Sequence, residues 1–403
     1  LKPQLERSLD FSLVFKNSDP LIMPSHSALP RRRFLTGLAA AAGTLGLRPA
    51  NELWAQQQAP RQRPTADEYD AFAKLANNEN PYGPSEAVIR AMTQAFKYAN
   101  RYGYPDGGLT DALAAHHGLK PEHILLGAGS GEILDVSCSA FLSGGRKIVG
   151  SDPSYSILYS HASGLKADTI RVPLLPDFRQ DIPALIRATR MHYRDVGLVY
   201  LCSPNNPTGR IVSAVETRQL LDGIPADVPV LIDEAYHHFV DDPSYATSIP
   251  YVLEGRRVIV ARTFSKIAGL AGMRLGYAAA PRELLAEMRP HMTGSVNAVV
   301  RWGGVAALKD TQTEAWVKKT TLDLRHSATR DLKSHGYDCI ASDANFFMVH
   351  LRRPVQPVID AFRKRGVLVG RPFPPLNEHL RVSVGTADEM KRFATAFREI
   401  VAP

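Results

Sequence analysis

The chain is poor in cysteine. Cys138, Cys202 and Cys339 are the only three in 403 residues, and they lie far apart. That spacing supplies neither a disulfide framework nor a thiolate metal site. Long apolar runs are also missing. The run from Phe34 to Leu47 covers fourteen residues rich in Ala and Gly, too few to cross a bilayer as a helix. There is no internal repeat and no dinucleotide or P-loop fingerprint. Gly127-Ala-Gly-Ser-Gly-Glu132 has the wrong spacing for the first and no Gly-Lys-Ser/Thr for the second. The pairs His116-His117 and His237-His238 lack a ligand set such as His-Glu-x-x-His and read as ordinary loop or helix histidines. The net charge of +8 is no nucleic-acid signature either. Residues 1–63 hold nine Lys/Arg against four acids, most of the excess, and no basic patch carries interleaved aromatics.

What is present is ordinary globular composition, 44% hydrophobic and 22% charged, at a length that accommodates two domains or one large one. The front of the chain differs from the rest. Pro30-Arg-Arg-Arg-Phe-Leu-Thr36 resembles a twin-arginine export signal, with Arg31-Arg32 as the pair, a mild apolar run after it and Leu53-Trp54-Ala55 before a cleavage point. Met23 is the expected start, with residues 1–22 an upstream extension. A Gln/Pro-rich linker, Gln56 to Pro64, leads into the folded part. The expectation is an exported, periplasmic protein; the alternative is a cytoplasmic one.

From Lys147 the sequence alternates between short apolar runs and helical stretches. Expected strands are Lys147–Gly150, Thr169–Pro173, Gly197–Cys202, Val230–Asp233, Val258–Ala261 and Leu275–Ala279. Continuous apolar runs mark strands of a parallel sheet covered on both faces. In such a sheet ligands sit at the carboxyl ends of strands, where five polar clusters fall: Gly127–Glu132, Asp152–Tyr155, Ser203–Gly209, Asp233–Tyr236 and Thr263–Lys266. The expected architecture is α/β, a mostly parallel central sheet sandwiched by helices. From Asn297 the pattern changes to two helices, short strands and a terminal helix, a smaller α+β domain. The boundaries are 1–63 for leader and linker, 64–95 for an amino-terminal arm contributing to the small domain, 96–296 for the large domain and 297–403 for the small one.

The segment Thr263-Phe-Ser-Lys-Ile-Ala-Gly-Leu-Ala-Gly-Met-Arg274 carries the chemistry. A lysine at a strand end can form a Schiff base with an aldehyde once its pKa is lowered. Two hydroxyls and an arginine fork suit a phosphate dianion. Pyridoxal 5'-phosphate (PLP) is both aldehyde and phosphate. The free amides at Ser130 and Gly131, opening a helix, would also hold phosphate.

With Ser203-Pro-Asn-Asn-Pro-Thr-Gly209, Ile232-Asp-Glu-Ala-Tyr236 and Thr263-Phe-Ser-Lys266 followed by Arg274, the chain resembles the fold type I PLP-dependent aminotransferases of the histidinol-phosphate aminotransferase group, over about Leu75 to Gly385. The resemblance implies a homodimer with shared active sites, amino-acid and 2-oxo-acid substrates, and a set of roles. Lys266 is the Schiff-base lysine and proton carrier. Asp233 pairs with the pyridine nitrogen. Tyr236 and Asn206 donate to the phenolic oxygen, and Tyr155 stacks on the ring. Ser130, Gly131, Thr263, Ser265 and Arg274 hold the phosphate, joined by Tyr104, or Tyr102 two residues earlier, from the partner subunit. Arg381 takes the substrate α-carboxylate, with Asn80 and Tyr82 near the substrate. Arg371, shifted relative to relatives, meets a substrate side group or faces solvent. A decarboxylase, lyase or racemase on the same fold, or a silent PLP-binding protein, would share these motifs.

Overall fold

The computed structural model describes residues 65–401; the expected export leader lies outside them. In chain order the first strand is β1 (Ala73–Leu75). The seven strands β2 (Ile124–Gly127), β3 (Lys147–Asp152), β4 (Thr169–Pro173), β5 (Val196–Cys202), β6 (Val230–Asp233), β7 (Val258–Thr263) and β8 (Gly276–Ala279) follow. They form one sheet in the order β2-β8-β7-β6-β5-β3-β4. β3 to β7 pair in parallel, whereas β8 runs antiparallel to both β7 and β2. The apolar run ending at Ala279 therefore belongs to the one reversed strand. The connection between β7 and β8 holds only a short 3-10 turn, Ala271–Met273, and no crossover helix, and the chain returns antiparallel.

Strand β5 is buried at all seven positions and β7 at all six. Their side chains alternate between two cores, because successive residues point to opposite faces. Val199, Leu201, Val230, Ile232, Val258 and Val260 share one cluster. Leu198, Tyr200, Leu231, Ile259 and Ala261 share the other. Helices close both faces; those at Leu109–His117 and Ala298–Lys309 end in or contribute to the first cluster, and Ser130–Phe141 to the second.

A second sheet has the order β12-β10-β9, from β9 (Cys339–Ile340), β10 (Phe346–His350) and β12 (His379–Ser383), all antiparallel. Strand β11 (Val367–Val369) pairs in parallel with β1, so the stretch before Asn77 docks beside residues almost 300 positions later. A core of Phe347, Phe362, Phe393 and Phe397 with Leu75 and Val382 backs this assembly. The terminal helix Ala387–Ile400 opens with a capping box: Thr386 accepts from the Glu389 amide, and Glu389 accepts from the Thr386 amide. Glu389 also accepts from the Lys74 amide at 2.8 Å, tying that cap to β1.

Candidate active site

Four neighbouring parallel strands, β3, β5, β6 and β7, deliver Tyr155, Asn206, Asp233 and Lys266 to the same edge of the sheet. This is the position that parallel topology reserves for ligands. Asp233 is the last residue of β6 and only 3% exposed. Its carboxylate accepts from the Ala235 amide at 3.1 Å and from the Tyr200 hydroxyl at 3.4 Å. Burial nonetheless lifts its pKa to about 6, against the opposing pull of those donors and of the Lys266 charge. Two hydrogen bonds do not replace a cation beside this carboxylate.

Lys266 lies in the turn after β7, half-buried, with Nζ 3.3 Å from the Asn77 carbonyl and 5.5 Å from the centre of the Tyr236 ring. Burial, then the Arg381 charge, lowers its pKa to about 8. A neutral amine is thus within reach near physiological pH, which a nucleophile and proton carrier requires.

The Tyr236 hydroxyl accepts from Asn78 Nδ2 at 3.0 Å and from Asn206 Nδ2 at 3.4 Å. Burial drives its pKa upward, so it stays a neutral donor. Asn206 Oδ1 accepts from Arg381 Nη1 at 2.7 Å, and Arg381 Nη2 donates to the Ala76 carbonyl at 2.6 Å. Arg381 is 6% exposed, its Nε has no partner, and no carboxylate pairs with it among the described residues. Burial lowers its pKa to about 10. A buried cation with only neutral partners is costly unless an anion arrives.

A second group gathers where β7 and β8 meet the helix beginning at Ser130. Arg274 sends Nη1 to Ser265 Oγ at 3.4 Å and Nη2 to the Ala128 carbonyl at 3.3 Å. The Thr263 hydroxyl donates to Ser265 Oγ at 2.8 Å and accepts from the Ser265 amide at 3.0 Å, so it orients Ser265. The first-turn amides of Ser130 and Gly131 face outward by helix construction. Gly129, at φ +79°, is obligatory: a Cβ there would run into the Arg274 guanidinium. Gly276 is equally constrained, since its Cβ would meet the backbone of Gly129 and Ser130. Glycine at both positions lets the Arg274 guanidinium and the helix-opening backbone come together, and the gathered guanidinium, hydroxyl and helix amides are a donor set that fits a phosphate.

Tyr155 is half-buried beside the Asp233 side of the site, and burial raises its hydroxyl to a pKa of about 12. The arm reaches in through Asn80, whose Nδ2 donates to the Ile267 carbonyl at 2.8 Å, next to Lys266. Tyr82 packs edge-on against Trp316 at 4.6 Å. Tyr104 and Tyr102 touch none of these residues; Tyr104 is 81% exposed and Tyr102 fully so. Arg371 donates to Ser156 Oγ at 3.4 Å and to the Pro372 carbonyl. No three metal-ligating side chains converge among the described residues.

Sequence reasoning missed Asn78, Tyr200 and Glu234. Asn78 is buried at φ +56° and locked by Ser383 and Asn345; its signal was the Asn-Asn-Glu-Asn run. Glu234 points away from the site and pairs with buried Arg262 at 2.7 Å, braced by Thr247 and the Ser248 amide.

The model of the family described as aminotransferase class I and II matches residues 71–397. The chain belongs to that family. Within it, the chain is 36% identical to a histidinol-phosphate aminotransferase from Moorella thermoacetica, over 82% of this chain and 85% of that one. It is 34% identical to histidinol-phosphate aminotransferase 2 from Methylococcus capsulatus, over 82% and 91%. The solved histidinol-phosphate aminotransferase from Sinorhizobium meliloti, in complex with pyridoxal-5'-phosphate, superposes with a TM-score of 0.78 at 27% identity, covering 86% of this chain and 96% of that one. This aminotransferase uses PLP, and the residues present fit it: a buried acid without an ion pair, an amine of lowered pKa and a donor set suited to phosphate are arranged along one sheet edge. Bound there, PLP supplies the aldehyde that takes the amino group and the ring that delocalises charge.

Proposed function

We propose that this aminotransferase takes the amino group of an α-amino acid or a related phosphate ester, such as histidinol phosphate, and passes it to a 2-oxo acid. We further propose that it works as an exported homodimer. The observation that carries the substrate reading is Arg381. Its guanidinium is buried without an acid and shares Asn206 with Tyr236, so an anionic substrate group held on Arg381 lies next to the proton-carrying amine of Lys266. Asp233 would hold the pyridine nitrogen, Tyr236 and Asn206 the phenolic oxygen, and Ser265, Arg274 and the Ser130 and Gly131 amides the phosphate. The names of the relatives support histidinol phosphate as a candidate donor.

The dimer proposal rests on Tyr102 and Tyr104, two large rings exposed among the described residues, which a partner subunit can cover. Export rests on Arg31-Arg32 and the apolar run behind them.

The deciding experiment mixes PLP-loaded protein with histidinol phosphate or single amino acids, then with 2-oxoglutarate. Exchange of the amino group into glutamate is expected. Release of carbon dioxide, or loss of chirality without exchange, overturns it. Lys266→Ala should fold yet lose the visible absorption band of lysine-bound PLP. Light scattering reads the dimer, and Arg31→Lys with Arg32→Lys should retain the protein in the cytoplasm.

A further inference from the structure

The loop between β11 and β12 contains Arg371-Pro-Phe-Pro-Pro375. Pro372 and Pro374 fix φ on either side of Phe373 and restrict the backbone that carries it. Both ends of the segment are also tethered. The Gly370 amide donates to the Arg381 carbonyl at 2.9 Å, and the Leu376 amide donates to the Phe373 carbonyl at 2.8 Å. One edge of the ring packs into a small cluster with Ile340 and Met348. Phe373 itself is 7% exposed.

Two guanidiniums pack over the ring. Arg381 Cζ is 4.5 Å from its centre and Arg371 Cζ is 4.4 Å from it. Neither arginine has a carboxylate partner within ion-pair distance among the described residues, and burial lowers the pKa of each. Arg381 also lies 5.4 Å from the centre of Phe346. Its flat cation therefore faces aromatic carbon, while its edge donors go to Asn206 and Ala76. A π face attracts a cation without neutralising it.

We propose that Phe373 is a positioning residue for carboxylate recognition. It holds the Arg381 guanidinium in the orientation that Asn206 and Ala76 define. Arg381 then meets a carboxylate pre-oriented and dry, with its full charge available. This inference rests on the assignment of Arg381 as the substrate's anion site.

The test compares PLP-loaded full-length protein with Phe373→Leu, Phe373→Tyr and Arg381→Gln, using maleate as a non-reacting carboxylate and isothermal titration as the readout. Leu keeps the apolar bulk and removes the π face; Tyr keeps both. We expect Phe373→Leu to weaken maleate about three- to tenfold and Phe373→Tyr to stay within about twofold of wild type. In turnover, Phe373→Leu should raise KM by a similar factor and leave kcat nearly unchanged. If Arg381→Gln binds maleate as wild type does, the anion-site assignment itself fails. If Arg381→Gln abolishes binding while Phe373→Leu binds normally, or while Tyr is as weak as Leu, the positioning role fails.

Discussion

Arg381 on β12 and Asn206 after β5 meet at 2.7 Å, joining the smaller sheet to the larger one through a single amide. The same amide turns its nitrogen toward the Tyr236 hydroxyl. Asn206 thus fixes the anion-binding cation and the phenol at once. Replacing it with Ala removes a hydrogen bond to a charged group, about 1.5–3 kcal/mol. The expected result is a KM for amino acids raised roughly ten- to hundredfold, together with a shifted pH dependence of the visible PLP band. Steady-state kinetics and a spectral titration check both.

Asp233 should destabilise the PLP-free protein. Its folded pKa of about 6 exceeds the unfolded value of 3.8, so between those values the folded state binds more protons and stability falls as pH rises. Above about pH 6 the full penalty is present, about 3 kcal/mol at most. Asp233→Asn in the PLP-free enzyme should therefore resist urea better than wild type at pH 7. The advantage should shrink by roughly half at pH 5. With PLP the ranking should invert in affinity, because the ring nitrogen loses its anion.

The histidines predict acid sensitivity. His237 and His238 face a cavity of about 80 Å³ beside the Arg262 side chain, and each has a ring nitrogen without a partner. His117 shares a 2.7 Å contact with the Tyr277 hydroxyl. Burial, then Arg262, lowers His117 and His238 to about 3, and His237 well below its ordinary value. These groups stay neutral in the fold while the unfolded chain takes up protons below pH 6.5, so stability is present above that pH and lost as pH falls. Each contributes about 1–2 kcal/mol of loss between pH 7 and 5, partly offset by Asp233. Cooperative unfolding near pH 5 is expected by circular dichroism, and His237→Asn with His238→Asn should move the midpoint lower.

Glu234 and Arg262 form a buried pair at 1% and 6% side-chain exposure. Removing one partner strands the other. Glu234→Ala should cost about 3–5 kcal/mol, and adding Arg262→Leu should recover part of that loss, since two apolar groups leave no orphan charge. Denaturant unfolding of the single and double variants reads the coupling.

Much of this was legible in the sequence for identifiable reasons. Buried parallel strands write themselves as apolar runs, and their polar ends mark one edge of the sheet; Asp233 and Lys266 both sit there. The direction of β8 was not legible, because Gly276–Ala279 is as apolar as its parallel neighbours. Strand β1 escaped notice because three residues followed by an Asn-rich loop carry no period. Asn78 and Phe373 were hidden for another reason. Each acts through a partner hundreds of residues away or across a turn, and spacing says nothing of that.

The pairing of β1 with β11 has a consequence for biosynthesis. Ala76, Asn77 and Asn78 supply the carbonyls and the amide that fix Arg381, Lys266 and Tyr236, yet the strand just before them has no neighbour until Val367–Val369 emerges from the ribosome. A nascent chain lacking its last forty residues would own the lysine, the aspartate and the phosphate cradle and still be unable to assemble a working pocket. Cofactor capture should therefore be a late, post-synthetic event for this protein.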